Sequence, residues 1–263
     1  MNTLLLHCER NFNTLPCCHP QPYHCNCSDC TSMDFHDRPD TYNCEKKVNY
    51  YVLNYGPSFA SEIYHYFSTS QVLENNFNNT TLNILSLGCG FSPELIALER
   101  YIRDYHLTIN FNYRGIDSNQ SWNNTRLHNA NAQYIIDDVS HNINLIDMDI
   151  VFVIKLFSTL YKNNLSNQFL SSLRNAISSQ LKANGLLIFI DVNSIHMGRD
   201  IFHNSVSNLF TKCYQYYSGI NPPYSEYSWT RINQQNIVFT IPNNLSISPL
   251  PNLRNNIFFE YWK

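Results

Sequence analysis

Charge is scarce in this sequence. Charged residues make up 14% of its 263 residues, the formal net charge is −3, and no stretch concentrates lysine and arginine. A protein that grips nucleic acid mainly through phosphates usually carries such a basic block, so that class is disfavoured. Long hydrophobic runs are missing too. The N-terminal MNTLLLHCERN offers three consecutive apolar residues before His7 and Glu9, short of a signal-peptide core, and no run elsewhere approaches transmembrane length. A cytoplasmic location is the expectation that follows. Internal repeats are absent, as is the GxxxxGK[ST] pattern of a phosphate loop. What is present is apolar material: hydrophobic residues at 43% can bury a substantial core.

Cysteine is distributed unevenly. Seven of nine cysteines precede residue 45, and Pro16–Cys30 reads PCCHPQPYHCNCSDC. In a reducing compartment such clustering favours metal over disulfides. Zinc needs four converging soft ligands, and closely spaced cysteines supply several from one turn. Cys27 and Cys30 form a CxxC pair, Cys25 extends it, and Cys44 closes a predicted zinc quartet. Cys8, Cys17, Cys18, His19 and His24 leave room for another ligand set, a second ion or an iron–sulfur cluster. Residues 1–44 are therefore expected to be a metal-binding segment without apolar periodicity, held in shape by its metal. Cys89 and Cys213 lie outside it and are expected to be small buried apolar residues.

From Glu45 to Phe67 the apolar spacing is helical, with an interruption expected at Gly56-Pro57, and the polar stretch Ser68–Thr81 reads as a linker. Together, residues 45–81 are expected to be a helical cap and linker. Beyond them, apolar strands at 82–87, 111–116, 133–136, 149–154 and 186–192 alternate with helices at 93–106, 120–131, 167–181 and 199–210. Such alternation predicts a mostly parallel α/β sheet covered on both faces. In the tail the alternation stops, and 213–217, 237–241 and 257–262 are expected to be strands of an antiparallel C-terminal edge joined by irregular loops. Residues 82–263 then form one Rossmann-like domain.

The central motif is ILSLGCGFSPE, residues 84–94. Gly88 and Gly90 follow the first strand directly, and Ser92-Pro93 opens the next helix as an N-cap and N1 pair. Glycine lets the backbone turn sharply and approach a ligand, and this position is the carboxyl end of a strand, where open α/β sheets bind ligands. A dinucleotide fingerprint would need a third glycine where Pro93 stands. The second strand ends in Gly115-Ile116-Asp117-Ser118, the third in Ile136-Asp137-Asp138-Val139, and the fourth runs from Asp149 to Lys155.

In that order, over residues 82–192, these features resemble the class I S-adenosylmethionine-dependent methyltransferases. The resemblance implies that Gly88, Cys89 and Gly90 cradle S-adenosylmethionine, and that Asp117 and Ser118 take its ribose hydroxyls. It further implies that Asp137, Asp138 and Val139 meet the adenine, with Lys155 beside the methyl-donating sulfur. Ser86 departs from the pattern, since many members carry an acidic residue two before the first glycine. The segments 149–160 and 192–199, with GCGFSP, also resemble aminoglycoside-resistance 16S ribosomal RNA methyltransferases in fragments, which would make Lys155 and Arg199 substrate-side residues. NPPY at 221–224 matches an amino-methylation motif but lies beyond the fifth strand, not after the fourth.

The activity implied is methyl transfer by in-line displacement to a nucleophile of RNA, protein or a small molecule. Asp137, Asp138, His141, Asp191, His196 and His203 are all available as bases, and nothing ranks them. The alternative is a non-enzymatic metal-binding interaction protein with a degenerate Rossmann-like domain. The intact GxG and Asp117 speak against decay.

Overall fold

A computed structural model describes residues 1–15, 44–219, 228–253 and 255–263. Among them, eight strands form one sheet in the order β3-β2-β1-β4-β5-β8-β6-β7. The strands are β1 (Thr81–Leu87), β2 (Asn110–Asp117), β3 (Ala132–Ile136), β4 (Ile150–Ile154), β5 (Leu186–Val192), β6 (Lys212–Ser218), β7 (Thr230–Arg231) and β8 (Asn256–Trp262). β1 to β5 pair in parallel. β8 runs antiparallel between β5 and β6, as the loss of strand–helix alternation in the tail predicts, and the two-residue β7 pairs in parallel with β6 at the edge. Strand order reverses at β1, whose neighbours are β2 on one side and β4 on the other.

The apolar strands are buried on both faces, which explains their continuous hydrophobic character. Ile84, Phe152 and Ile188 face one apolar cluster, with Leu95, Leu98 and Tyr101 of helix α4 (Pro93–Asp104). Their neighbours Leu85, Val151 and Leu187 face the other. There they meet Phe169 and Leu173 of α6 (Ser166–Ser179) and Phe202 of α7 (Arg199–Val206). Removing a ring such as Phe152 from this packing would cost roughly 3–5 kcal/mol.

The N-terminal elements depart from expectation. Residues 2–14 form helix α1 (Asn2–Thr14), with Leu4, Leu5 and Cys8 buried on one face. These side chains pack with Val48, Val52, Phe91 and Trp122, so this part of the segment is held by apolar burial. Helix α2 (Glu45–Ser70) runs unbroken through Gly56-Pro57. Both residues are buried, and a Cβ on Gly56 would stand 3.7 Å from the Phe91 ring. Tertiary packing thus overrides the local helix-breaking signal. The expected linker is in part a second helix, α3 (Val72–Phe77), with Val72, Leu73 and Phe77 buried. Gln71, in a left-handed conformation, separates it from α2.

Three further differences have local causes. The helix expected at 120–131 is a six-residue 3₁₀ turn, Gln120–Thr125. The strand expected at 237–241 does not form. Its backbone bonds to α2 instead, with Val238 N donating to Ser61 Oγ at 3.0 Å and the Asn236 carbonyl 2.8 Å from His65 Nε2. A short helix without a distinct apolar period, α5 (Phe157–Lys162), follows β4 where none was expected. Among the described residues no helix is long and apolar enough to cross a membrane.

Candidate functional site

Between the carboxyl ends of β1 and β4, where strand order reverses, lies a cavity of about 300 Å³. Gly88, Cys89, Gly90, Asp117, Ser118, Asp138, Val139 and Lys155 all line it. Residues up to 67 positions apart in sequence therefore meet because four parallel strands end side by side. Asp137 is not among the lining residues. It is exposed, and its carboxylate accepts from the Asp138 amide at 2.8 Å.

The glycine loop owes its shape to residue type. Gly88 has φ +65°, and a Cβ there would lie 2.5 Å from Leu156 Cδ1. Gly90 has φ +50°, with its nearest neighbour, Trp122, 3.7 Å from a built Cβ. Conformation thus demands glycine at both positions, and at Gly88 a side chain would also have to displace Leu156. Gly115 on β2 serves the loop from below, because a Cβ there would meet Cys89 Sγ at 2.7 Å. Cys89 is 3% exposed and its thiol is raised by burial, as expected of a small apolar residue.

Asp117 closes the loop from the side. Its Oδ2 accepts from the Gly90 amide and its Oδ1 from the Asn119 amide, both at 2.9 Å. Burial raises its carboxyl above the ordinary range, opposed by these two amides and by the charge of Arg126. Ser92 occupies the predicted N-cap position of α4 but makes no side-chain cap. Its hydroxyl lies 3.0 Å from that of Tyr113, which donates to the buried Glu94.

On the β4 side, Lys155 adopts φ +52°, an unusual conformation for a lysine. Its ammonium lies 3.4 Å from Glu62 Oε2, donates to Asn256 Oδ1, and sits 5.0 Å from the centre of the Phe59 ring. Glu62 is 1% exposed, so a buried ion pair fixes the lysine at the cavity wall. Tyr51, Phe59, Phe91 and Trp122 add an aromatic wall from α2, the glycine loop and the 3₁₀ turn. Tyr51 meets Trp122 edge-on at 5.5 Å between ring centres.

Several predicted residues lie elsewhere. Arg199 is 5% exposed and bonds Asp200 and Asn193, each at 2.6 Å, away from the cavity lining. Of the six available bases only Asp138 lines the cavity. Asp191 instead accepts from the Ser158 amide at the start of α5, and His203 is buried 3.0 Å from the Tyr261 hydroxyl. His141 is exposed beside Gln168, and His196 is exposed after β5. NPPY lies outside the described residues, as do Cys17, Cys18, His19, His24, Cys25, Cys27 and Cys30. Of the predicted zinc quartet only Cys44 is described; it is 7% exposed and immediately precedes α2. Among the described residues no group of three or more His, Cys, Asp or Glu could hold a metal ion. Cys8 is fully buried in the α1 apolar face, with its thiol pushed up to about 12 by burial, which suits a packing residue.

Sequence reasoning missed Trp122, Phe91 and Glu62, and with them Arg126, whose guanidinium holds the glycine loop from behind. With 14% aromatic residues, one tryptophan in a polar stretch carries no distinctive signal.

No protein-family model and no curated protein matches the chain. Solved structures do resemble it. One is N-methyltransferase NodS from Bradyrhizobium japonicum WM9 in complex with S-adenosylhomocysteine, at 8% identity over 78% of this chain and 87% of that one, with a TM-score of 0.46. Another is a TehB-like S-adenosylmethionine-dependent methyltransferase from Corynebacterium glutamicum, at 12% identity over 77% and 99%, with a TM-score of 0.41. A third is phosphoethanolamine N-methyltransferase 1 from Haemonchus contortus, bound to phosphoethanolamine and S-adenosylhomocysteine, at 18% identity and a TM-score of 0.37. That match covers 60% of this chain and 30% of the Haemonchus protein, so the chain spans under a third of that relative's length. None of these three is a ribosomal RNA methyltransferase. At these scores the site's chemistry has to come from its own residues.

Proposed function

We propose that the protein is an S-adenosylmethionine-dependent methyltransferase. The observation that carries this is the pairing, in one cavity at the strand-order reversal, of a left-handed Gly88–Gly90 loop with the Asp117 carboxylate. The loop offers a close backbone approach that a side chain would block. Asp117 offers carboxylate oxygens to a pair of vicinal hydroxyls, and Ser118 stands next to it. Asp138 and Val139 form the far wall, a carboxylate acceptor and an apolar surface suited to an amino-bearing base. These acceptors and surfaces suit the adenosyl part of S-adenosylmethionine.

Bound there, S-adenosylmethionine would supply an activated methyl group for in-line displacement by a nucleophile. The chain's own contribution is alignment. The Glu62–Lys155 pair and the Tyr51–Phe59 rings bound the acceptor side, so the cation is held in place before an acceptor arrives.

The acceptor itself, in RNA, protein or a small molecule, is not fixed by these residues. On the sequence pattern alone, a zinc ion on Cys25, Cys27, Cys30 and Cys44 belongs to the same proposal, as does the division into 1–44, 45–81 and 82–263. Metal analysis of the purified protein checks the first: one or two equivalents of zinc or iron are expected, and none would remove the metal. A thermal-shift assay checks the activity class. S-adenosylmethionine and S-adenosylhomocysteine should each raise Tm, and Asp117→Ala should abolish both shifts; no shift in either variant would end the proposal.

A further inference from the structure

We infer that Arg126 is a positioning residue for the cofactor loop, holding Gly90 in the conformation that receives the ligand while keeping a positive charge beside Asp117. The inference rests on the cavity being the S-adenosylmethionine site. Arg126 follows the 3₁₀ turn between β2 and β3. Its Nε donates to the Gly90 carbonyl at 2.7 Å, and Nη2 lies 3.3 Å from Cys89 Sγ. Nη1 donates to Asn123 Oδ1 at 2.8 Å, and the guanidinium sits 4.3 Å from the centre of the Tyr134 ring.

Gly90 is thus held at both ends by groups of opposite charge. Its amide donates to Asp117 and its carbonyl accepts from Arg126. Arg126 does not line the cofactor cavity. It forms part of the wall of an adjoining cavity of about 600 Å³ and reaches the loop from behind, which makes it a positioning residue.

The electrostatic surroundings give the charge a purpose. Cys89 on the loop interacts with both Asp117 on β2 and Glu94 on α4, and the hydroxyls of Tyr113 and Tyr134 are close to Cys89 and Glu94. Burial raises both carboxyls, and Arg126 acts in the opposite direction on Asp117 and Glu94. Neutralising it leaves two acids with less counter-charge, and Asp117 protonates at higher pH. A protonated Asp117 loses acceptor capacity toward both the Gly90 amide and ligand hydroxyls.

The test uses Arg126→Gln, Arg126→Lys and, as a control, Arg100→Gln, whose arginine pairs with Asp104 at the surface. In the ligand-free protein, hydrogen exchange of amides 89–92 should accelerate roughly 10-fold or more in Arg126→Gln, the range for loss of a charge-assisted bond. Exchange in α6 should stay unchanged. For S-adenosylhomocysteine, Arg126→Gln should weaken binding about 10-fold at pH 7.5, with a steeper fall toward pH 5.5 than wild type. Arg126→Lys, which keeps the charge, should restore the wild-type pH profile. Wild-type exchange at 89–92 in Arg126→Gln would overturn the inference, as would an unchanged affinity and pH profile. If wild type itself binds no S-adenosylhomocysteine, the cofactor assignment fails, and exchange alone decides whether the clamp exists.

Discussion

Gly88 and Gly90 share a left-handed conformation but differ in what a side chain would meet. At either position an alanine costs about 1–2 kcal/mol in backbone strain. At Gly88 the new methyl also collides with Leu156, whereas at Gly90 it enters ordinary contact distance of Trp122. Gly88→Ala should therefore weaken S-adenosylhomocysteine binding more than Gly90→Ala does; equal losses by calorimetry would contradict this. Asp117 adds a pH dependence. Its carboxyl is raised by burial, so the folded state favours the protonated form, and ionised Asp117 costs stability as pH rises through the raised value. Binding has the opposite sign, because the ligand hydroxyls need the carboxylate: affinity should fall as pH is lowered toward that raised pKa. These residues were legible because they stand at successive strand ends in the order in which the family resemblance expects them. Arg126 and Glu62 were not, since their partners Gly90 and Lys155 lie 36 and 93 positions away and only the fold joins them.

At the scale of elements, α1 shows what a cysteine count conceals. Leu4, Leu5, Cys8 and Phe12 recur at helical spacing, but with Cys8 counted as a metal ligand the face loses its middle. Its burial makes it an apolar residue instead. The helix also bonds the loop that carries Trp122, with His7 Nε2 at 2.9 Å from the Asn124 carbonyl. Leu5→Ala should cost about 2–5 kcal/mol by chemical denaturation, the range for a fully buried leucine. A loss well under about 1 kcal/mol would mean that α1 is dispensable to the core. The helix α3 was hidden for a related reason: its Asn-rich sequence reads as loop, and only three buried side chains anchor it. In α2 the Gly56-Pro57 pair signals a break that packing against Phe91 overrides.

Taken whole, the molecule is a sheet whose order of strands makes its own binding site. The core strands were legible because burial on both faces leaves continuous apolar runs, and the parallel order followed from their alternation with helices. The stretch 237–241, expected as a strand, was not, because its backbone and that of Asn236 bond to side chains of α2. The consequence of that order is one cavity shared by the ends of β1, β2 and β4, with Asp138 and Val139 beyond the end of β3, and every functional assignment depends on its taking one adenosyl ligand. Isothermal titration calorimetry of S-adenosylhomocysteine into wild type and Asp117→Asn at pH 7.5 tests this most directly. One site per chain is expected, with affinity falling about 10-fold or more in the variant, the range for a charged hydrogen bond lost. No heat of binding in wild type, or equal affinity in both proteins, would contradict the assignment.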